Sequence, residues 1–220
     1  MLARELITDT IPPLKTSDTG LKALSWMDEF KVKHLPIVNK ETLLGIITEE
    51  DIMSLNAPEE PLGNHALSLL RPFVFENQHV FEVIKLVSKL GLSLIPVIDD
   101  QNLYKGVICL PDLVRGFAEI TSVDNPGGII TLELNVNDYL CSEIVQIIES
   151  NDARILSLYI APHHDSNKMD LTIKINKTDL TRILATFYRY HYTVKATFQE
   201  NEFGDDMRER FDSLMNYLNI

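Results

Sequence analysis

Few stretches of this chain carry side chains that could do chemistry. Thr48-x-x-Asp51 places a hydroxyl and a carboxylate three residues apart at the start of an expected helix. At that spacing the hydroxyl can accept from a first-turn amide while the carboxylate reaches back, which is a capping box. The same two groups turned toward a cleft suit the paired hydroxyls of a ribose, and free amides at a helix start suit a phosphate. The residues alone leave both readings open. A second version, Cys109-x-x-Asp112, keeps the carboxylate but replaces the hydroxyl with a thiol, a much weaker hydrogen-bond partner. Pro111 marks a helix start there. Arg115 follows Asp112 by three residues on the same face, as a solvated charge or as a group within reach of phosphate.

Other reactive residues are less well arranged. His34 precedes an apolar run and could meet a phosphate, stack on a base, or simply lie at the surface. His163-His164-Asp165 sit in an expected turn, where neighbouring side chains diverge, and no second ligand pair follows at metal-site spacing. No metal is expected. Cys109 and Cys141 form no CxxC pair, so neither a zinc nor a disulfide framework is expected. No nucleophile elbow, phosphate-cradling glycine loop or paired carboxylates occur, so neither catalytic residues nor enzyme activity is expected.

The two Thr/Cys-x-x-Asp motifs belong to a larger duplication. His34-Leu35-Pro36-Ile37-Val38 leads to Gly45-Ile46-Ile47-Thr48, and about sixty residues later Leu94-Ile95-Pro96-Val97-Ile98 leads to Gly106-Val107-Ile108-Cys109. Upstream, Leu21, Leu24, Met27 and Phe30 correspond to Phe81, Ile84, Val87 and Leu90, all at helical spacing. Each repeat therefore reads as a helix, a buried strand, a turn, a return strand and a closing helix. Residues 1–10 suggest a short lead-in helix, and Pro12-Pro13 forces an extended segment. Ser17 and Asp18 are N-cap candidates for the first long helix. A Pro, Glu and Gly-rich stretch at 56–64 reads as the linker, with repeats at 1–60 and 61–122.

These residues resemble the tandem CBS pair, or Bateman module, whose signature is an apolar-Pro-apolar-apolar strand followed by Gly-apolar-apolar-Thr/Ser-x-x-Asp. The resemblance covers roughly residues 1–120. It implies a regulatory sensor that binds an adenosine-containing ligand (AMP, ATP, S-adenosylmethionine or an NAD-type molecule) in clefts between the repeats. It further implies ribose contact for Asp51 with Thr48, and a second cleft at Asp112 with Cys109 and Arg115. By position, the adenine would meet Ile11, Pro13, His34 and Leu35 in repeat one, and Phe73, Leu94 and Ile95 in repeat two. The ligand is regulatory, and no cofactor is expected.

Beyond Asn125-Pro126-Gly127-Gly128 the pattern changes. Ile130, Leu132 and Leu134 alternate with polar residues, as in a half-buried strand. Leu140, Ile144, Ile147 and Ile148 mark an amphipathic helix, and Leu156, Leu158 and Ile160 alternate again. Met169, Leu171, Ile173 and Ile175 give another strand, Leu180, Ile183, Leu184 and Phe187 a second helix, and Val194, Ala196 and Phe198 a last strand. The order βαββαβ over 128–199 is ferredoxin-like, so the whole chain is of α/β (α+β) class. In order and size this part resembles an ACT domain. That resemblance implies either a dimerisation and relay module or an amino-acid sensor. The loop Asn135-Val136-Asn137-Asp138-Tyr139 lacks the Pro-Gly pair of amino-acid-binding ACT domains, which favours the relay. Residues 200–220 suggest a C-terminal amphipathic helix, with Met207, Phe211, Leu214, Met215 and Leu218 in its stripe.

The whole layout resembles acetoin utilisation proteins of the AcuB type. Its landmarks are His34-Leu35-Pro36, Asp124-Asn125-Pro126-Gly127 and Tyr159-Ile160-Ala161-Pro162-His163, over about residues 1–199. Composition fits a globular protein, with 45% hydrophobic and 24% charged residues among 220. A formal charge of −12 argues against a nucleic-acid partner. No apolar run approaches the ~18 residues of a membrane span, and no signal segment opens the chain. The expectation is a cytoplasmic homodimer with a client protein as a candidate partner, and with no nucleic acid and no membrane as partner.

Overall fold

The computed structural model describes residues 1–67 and 69–199, so the expected tail helix lies outside the described residues. Contacts divide the chain into two compact units, Met1–Phe117 and Ala118–Ile220. Each is taken by itself.

The first unit opens with a 3-10 turn, Ala3–Leu6, where a lead-in helix was expected. Helix α1 spans Gly20–Phe30 and buries Ala23 and Met27. Its N-cap is Thr19, whose hydroxyl accepts from the Lys22 amide at 3.2 Å, and not Ser17 or Asp18. Asp18 closes the preceding turn instead, accepting from the Lys15 amide and from Lys22 Nζ, both at 2.7 Å. The helix ends on Lys31 in the left-handed region (φ 54°), with its N–H on the Met27 carbonyl. Strands β1 (His34–Asn39) and β2 (Thr42–Thr48) form an antiparallel hairpin. Helix α2 (Glu49–Met53) starts directly after its N-cap Thr48 and is short. It stops where the Ser54 hydroxyl takes the Asp51 carbonyl at 2.6 Å.

Repeat two follows with β3 (Val74–Phe75), α3 (Val80–Leu90), β4 (Leu94–Ile98), β5 (Tyr104–Cys109) and α4 (Leu110–Ile120). The hairpins share one register. Pro36 opposes Ile46 as Pro96 opposes Val107, and each ladder carries a bulge one residue on, after Ile37 and after Val97. Leu14 lies parallel to Ile37 just as Val74 lies parallel to Val97, so each repeat is a small parallel β-α-β unit.

The repeats also exchange their opening segments. The Ile46 amide donates to the Leu70 carbonyl at 2.8 Å, which lays repeat two's opening on β2. Reciprocally, the Thr8 amide donates to the Val107 carbonyl at 2.9 Å, which lays repeat one's opening on β5. Two glycines permit this crossing. A Cβ on Gly45 would lie 2.7 Å from the Leu70 carbonyl oxygen, and one on Gly106 would lie 2.5 Å from Ile7 Cγ2. One apolar cluster joins Ile11, Leu14, Met27, Leu35 and Ile47 to Leu94, Val107 and Cys109. Full burial of each such Leu or Ile contributes roughly 1.5–3 kcal/mol, and here residues of both repeats supply it.

The second unit contains β6 (Gly128–Asn135), α5 (Cys141–Glu149), β7 (Ile155–Pro162), β8 (Lys168–Ile175), α6 (Thr181–Arg189) and β9 (Thr193–Phe198). The strands pair antiparallel in the order β7-β8-β6-β9, a ferredoxin-like sheet. Alternation does the sorting. Ile130, Leu132, Leu134, Met169, Leu171, Ile173 and Ile175 are buried in one core with Ile144, Ile147 and Ile148 of α5 and Ile183 and Phe187 of α6. Leu140 sits at the N-cap of α5 and is exposed, outside the buried stripe in which it was expected. Val136–Asp138 make a 3-10 turn, and Tyr139 packs against the core. No helix among the described residues is long and apolar enough to cross a membrane.

Candidate functional site

In repeat one the capping box is fully formed. The Asp51 amide donates to Thr48 Oγ1 at 3.0 Å, and the Thr48 amide donates to Asp51 Oδ2 at 2.9 Å. The Thr48 hydroxyl also donates to Asp51 Oδ2, at 2.7 Å. Asp51 Oδ1 has no hydrogen bond among the described residues and leaves an acceptor open. Two of the first-turn amides considered for phosphate are in use. Besides Asp51, the Glu49 amide donates to the Lys33 carbonyl at 3.2 Å.

Beside this cap lies a cleft of about 540 Å³. Its walls are His34, Ile46 and Thr48 from repeat one, Leu70, Arg71, Pro72 and Phe73 from repeat two's opening, and Leu86, Leu90 and Leu92 from α3 and the turn after it. That volume is ordinary for a small-molecule site. It exists because the opening segments cross, which brings Phe73 to the same space as Thr48. The walls are mostly apolar, with Thr48 and His34 at one side and the Arg71 guanidinium 5.6 Å over the Phe73 ring.

His34 is tied across the repeats. The Ser93 amide donates to its Nδ1 at 3.2 Å, and the Ser93 hydroxyl lies 2.9 Å from the same atom. Ser93 Oγ in turn accepts from the Lys33 amide at 3.0 Å. An Nδ1 that accepts leaves the proton on Nε2. Burial holds the imidazole below its ordinary 6.5, the nearby Asp51 charge opposes this, and Lys33 adds to it. His34 is therefore a neutral donor, and the phosphate-pairing imidazolium considered from the sequence is disfavoured.

The other sequence candidates lie elsewhere. Leu35, Leu94 and Ile95 are fully buried and Ile11 nearly so; all are core and none lines this cleft. Pro13 lines a different pocket. Arg71 and Ser93 went unnoticed in the sequence. Arg71 stands two residues before Phe73, which was singled out, and Ser93 stands where repeat one has Lys33.

At the second motif the chemistry is weaker. Cys109 is buried, which together with the Asp112 charge pushes its thiol up to about 11. Asp112 Oδ1 accepts from Arg115 Nη1 at 3.1 Å, so the arginine is spent on its own helix. Tyr104 Oη is buried without a hydrogen-bond partner among the described residues. In the second unit His163 Nε2 lies 3.0 Å from Asp170 Oδ1, and Lys195 beside Asp170 holds that carboxyl below the usual range.

A paired α/β repeat whose exchanged openings enclose an apolar cleft beside a Thr-x-x-Asp cap is the architecture of the first unit. Residues 3–57 and 71–119 match the CBS domain family. The N-terminal part of this chain is thus a tandem CBS domain pair. Among curated relatives, inosine-5'-monophosphate dehydrogenase of Methanocaldococcus jannaschii is 24% identical over 116 residues, covering 51% of this chain and 23% of the relative. An uncharacterised protein of Methanopyrus kandleri is 27% identical over 105 residues, 45% of this chain and 54% of the relative. This chain spans between about a quarter and about half of the curated relatives it matches. Among solved structures, a CBS domain pair/ACT domain protein from Thermotoga maritima is 22% identical with a TM-score of 0.49, over 54% of this chain and 98% of that one.

Proposed function

We propose that the chain is a regulatory sensor in which the cleft between the CBS repeats takes an adenosine-containing ligand. The observation that carries this reading is the convergence of Thr48, His34, Arg71 and Phe73 on one cleft from two repeats, with Asp51 hydrogen-bonded to Thr48 at its edge. The adenine would lie against Phe73 and the leucines. Asp51 Oδ1 would accept from a ribose hydroxyl, His34 Nε2–H would donate to the ligand, and Arg71 would meet a phosphate where one is present. Asp112, with Cys109 and Arg115, would serve a weaker second cleft. The domain division follows: repeats at 1–60 and 61–122, and an ACT-like module at 128–199 that relays the change and supports a homodimer, as in the AcuB-type layout. A ligand biases such a switch only through its different affinity for two states.

The test is a thermal-shift and calorimetric panel of AMP, ATP, S-adenosylmethionine, NADH and the amino acids. A ligand at about a hundredfold its Kd adds roughly 2.7 kcal/mol, several degrees for a chain of this size. A shift with one adenosine compound that vanishes in Asp51→Ala sustains the reading. A shift with an amino acid alone moves the site to the ACT-like module, and no shift at all overturns the sensor.

A further inference from the structure

A second pocket of about 400 Å³ lies at the other end of β1, lined by Pro13, Lys15, Thr16, Ser17, Val38, Asn39 and Lys40. At about 3.3 Å per residue, the length of β1 puts it roughly 16 Å from the His34 end. It stands where two parallel strands, the Leu14 segment and β1, come to their carboxyl ends beside the loop into α1. That is the crevice in which open α/β units bind ligands.

Two exposed cations, Lys15 and Lys40, line this pocket, and neither makes an ion pair among the described residues. The side chains of Thr16, Ser17 and Asn39 likewise make no hydrogen bond there. The Asp18 carboxylate, beside Ser17 in the chain, is occupied by Lys22 and the Lys15 amide.

Repeat two supplies an internal control. The same backbone turn recurs, with the Phe75 amide on Gln78 Oε1 at 2.7 Å where repeat one has the Lys15 amide on Asp18 Oδ2. There, Phe75, Glu76, Asn77, Asp99 and Asp100 replace Lys15, Thr16, Ser17, Asn39 and Lys40. Those groups satisfy one another: Asn77 Nδ2 donates to Asp100 Oδ1 at 3.3 Å, and Asp99 pairs with Lys105 at 2.8 Å. The fold therefore does not require cations or open hydroxyls at this place.

We infer that the Lys15–Lys40 pocket of repeat one binds a small oxyanion, a phosphate or carboxylate held by both ammonium groups and by the Thr16 and Ser17 hydroxyls. The site is independent of the adenosine cleft.

The test titrates inorganic phosphate and, separately, acetate into the 15N-labelled full chain at fixed ionic strength, with chloride as the reference. Saturable shifts at the amides of 14–17 and 38–40 are expected. They should survive Asp51→Asn, and Lys15→Gln/Lys40→Gln should weaken them about tenfold or more, as loss of charge-assisted bonds requires. The stronger of the two anions names the source chemistry. Shifts that match chloride, that do not saturate, or that map to Arg71 and Phe73 overturn the proposal. So does a double variant that binds as well as the parent.

Discussion

Repeat one and repeat two have nearly the same backbone and opposite chemistry. Both set a proline one residue ahead of a bulge, both place a glycine under the other's opening segment, and both end a helix on a left-handed residue. Yet Thr48 corresponds to Cys109, His34 to Leu94, and the Lys15–Lys40 pair to Phe75 and Asp100. Positions that the duplicated backbone needs are shared, whereas positions that would meet a ligand have diverged. Duplication thus separates what folds the module from what the module recognises.

The largest expected effect breaks that asymmetry directly. Asp51→Ala should weaken adenosine-ligand binding by about ten- to a hundredfold, the worth of hydrogen bonds to a charged group. Asp112→Ala should change it by less than about twofold, since its Arg115 pair is largely exposed and contributes little. Equal losses measured by calorimetry would make the two clefts equivalent and end the comparison. Next, Gly45→Ala drives a methyl into the Leu70 backbone, whereas Gly106→Ala meets the Cγ2 methyl of the Ile7 side chain. Denaturant unfolding should show about 2–3 kcal/mol lost for the first and about 1 kcal/mol for the second.

Thr48→Cys gives repeat one the second motif's chemistry. It should cost about 1 kcal/mol through the lost cap and weaken the ligand as well. Cys109→Thr should not create binding, because Arg115 still occupies Asp112. His34→Leu copies Leu94 and sharpens the comparison through pH. A histidine whose folded pKa is depressed binds fewer protons folded than unfolded. Its share of stability is present above the ordinary 6.5 and is lost as pH falls from there through the lowered folded value. A stability profile from pH 8 to 5 should therefore fall less steeply in the variant. The smallest effect is Lys31→Gly, which copies Gly91 and should add about 0.5–1 kcal/mol by relieving a left-handed residue that carries a side chain.

Much of this architecture could be read from the residues, because it rests on periodicity and local geometry. The repeat register, the alternating strands of the second unit and the Thr48–Asp51 box all follow from spacing within a few residues. The cleft itself was only partly legible. His34, Thr48 and Phe73 do meet in it, but Ile11, Leu35, Leu94 and Ile95 are consumed by a shared core whose extent depends on long-range packing. Arg71 and Ser93 were missed because their roles arise from the crossing of segments remote in sequence. Arg115 illustrates the opposite failure: helix spacing placed it correctly, but it also put the Asp112 carboxylate closer than any ligand. The α1 cap fell on Thr19 because Asp18 could satisfy the Lys15 amide and Lys22 together.

The exchanged openings have a consequence for how the chain comes to be folded at all. Thr8 finds its partner in Val107, a closure across roughly a hundred residues, which is a contact of high sequence separation and slow to form. During synthesis the first segment made must wait unpaired until β5 has emerged. Neither half can complete its sheet on its own. The pair is therefore inherited, synthesised and lost as one cooperative object, and a break anywhere between Thr8 and Val107 should unravel both halves together.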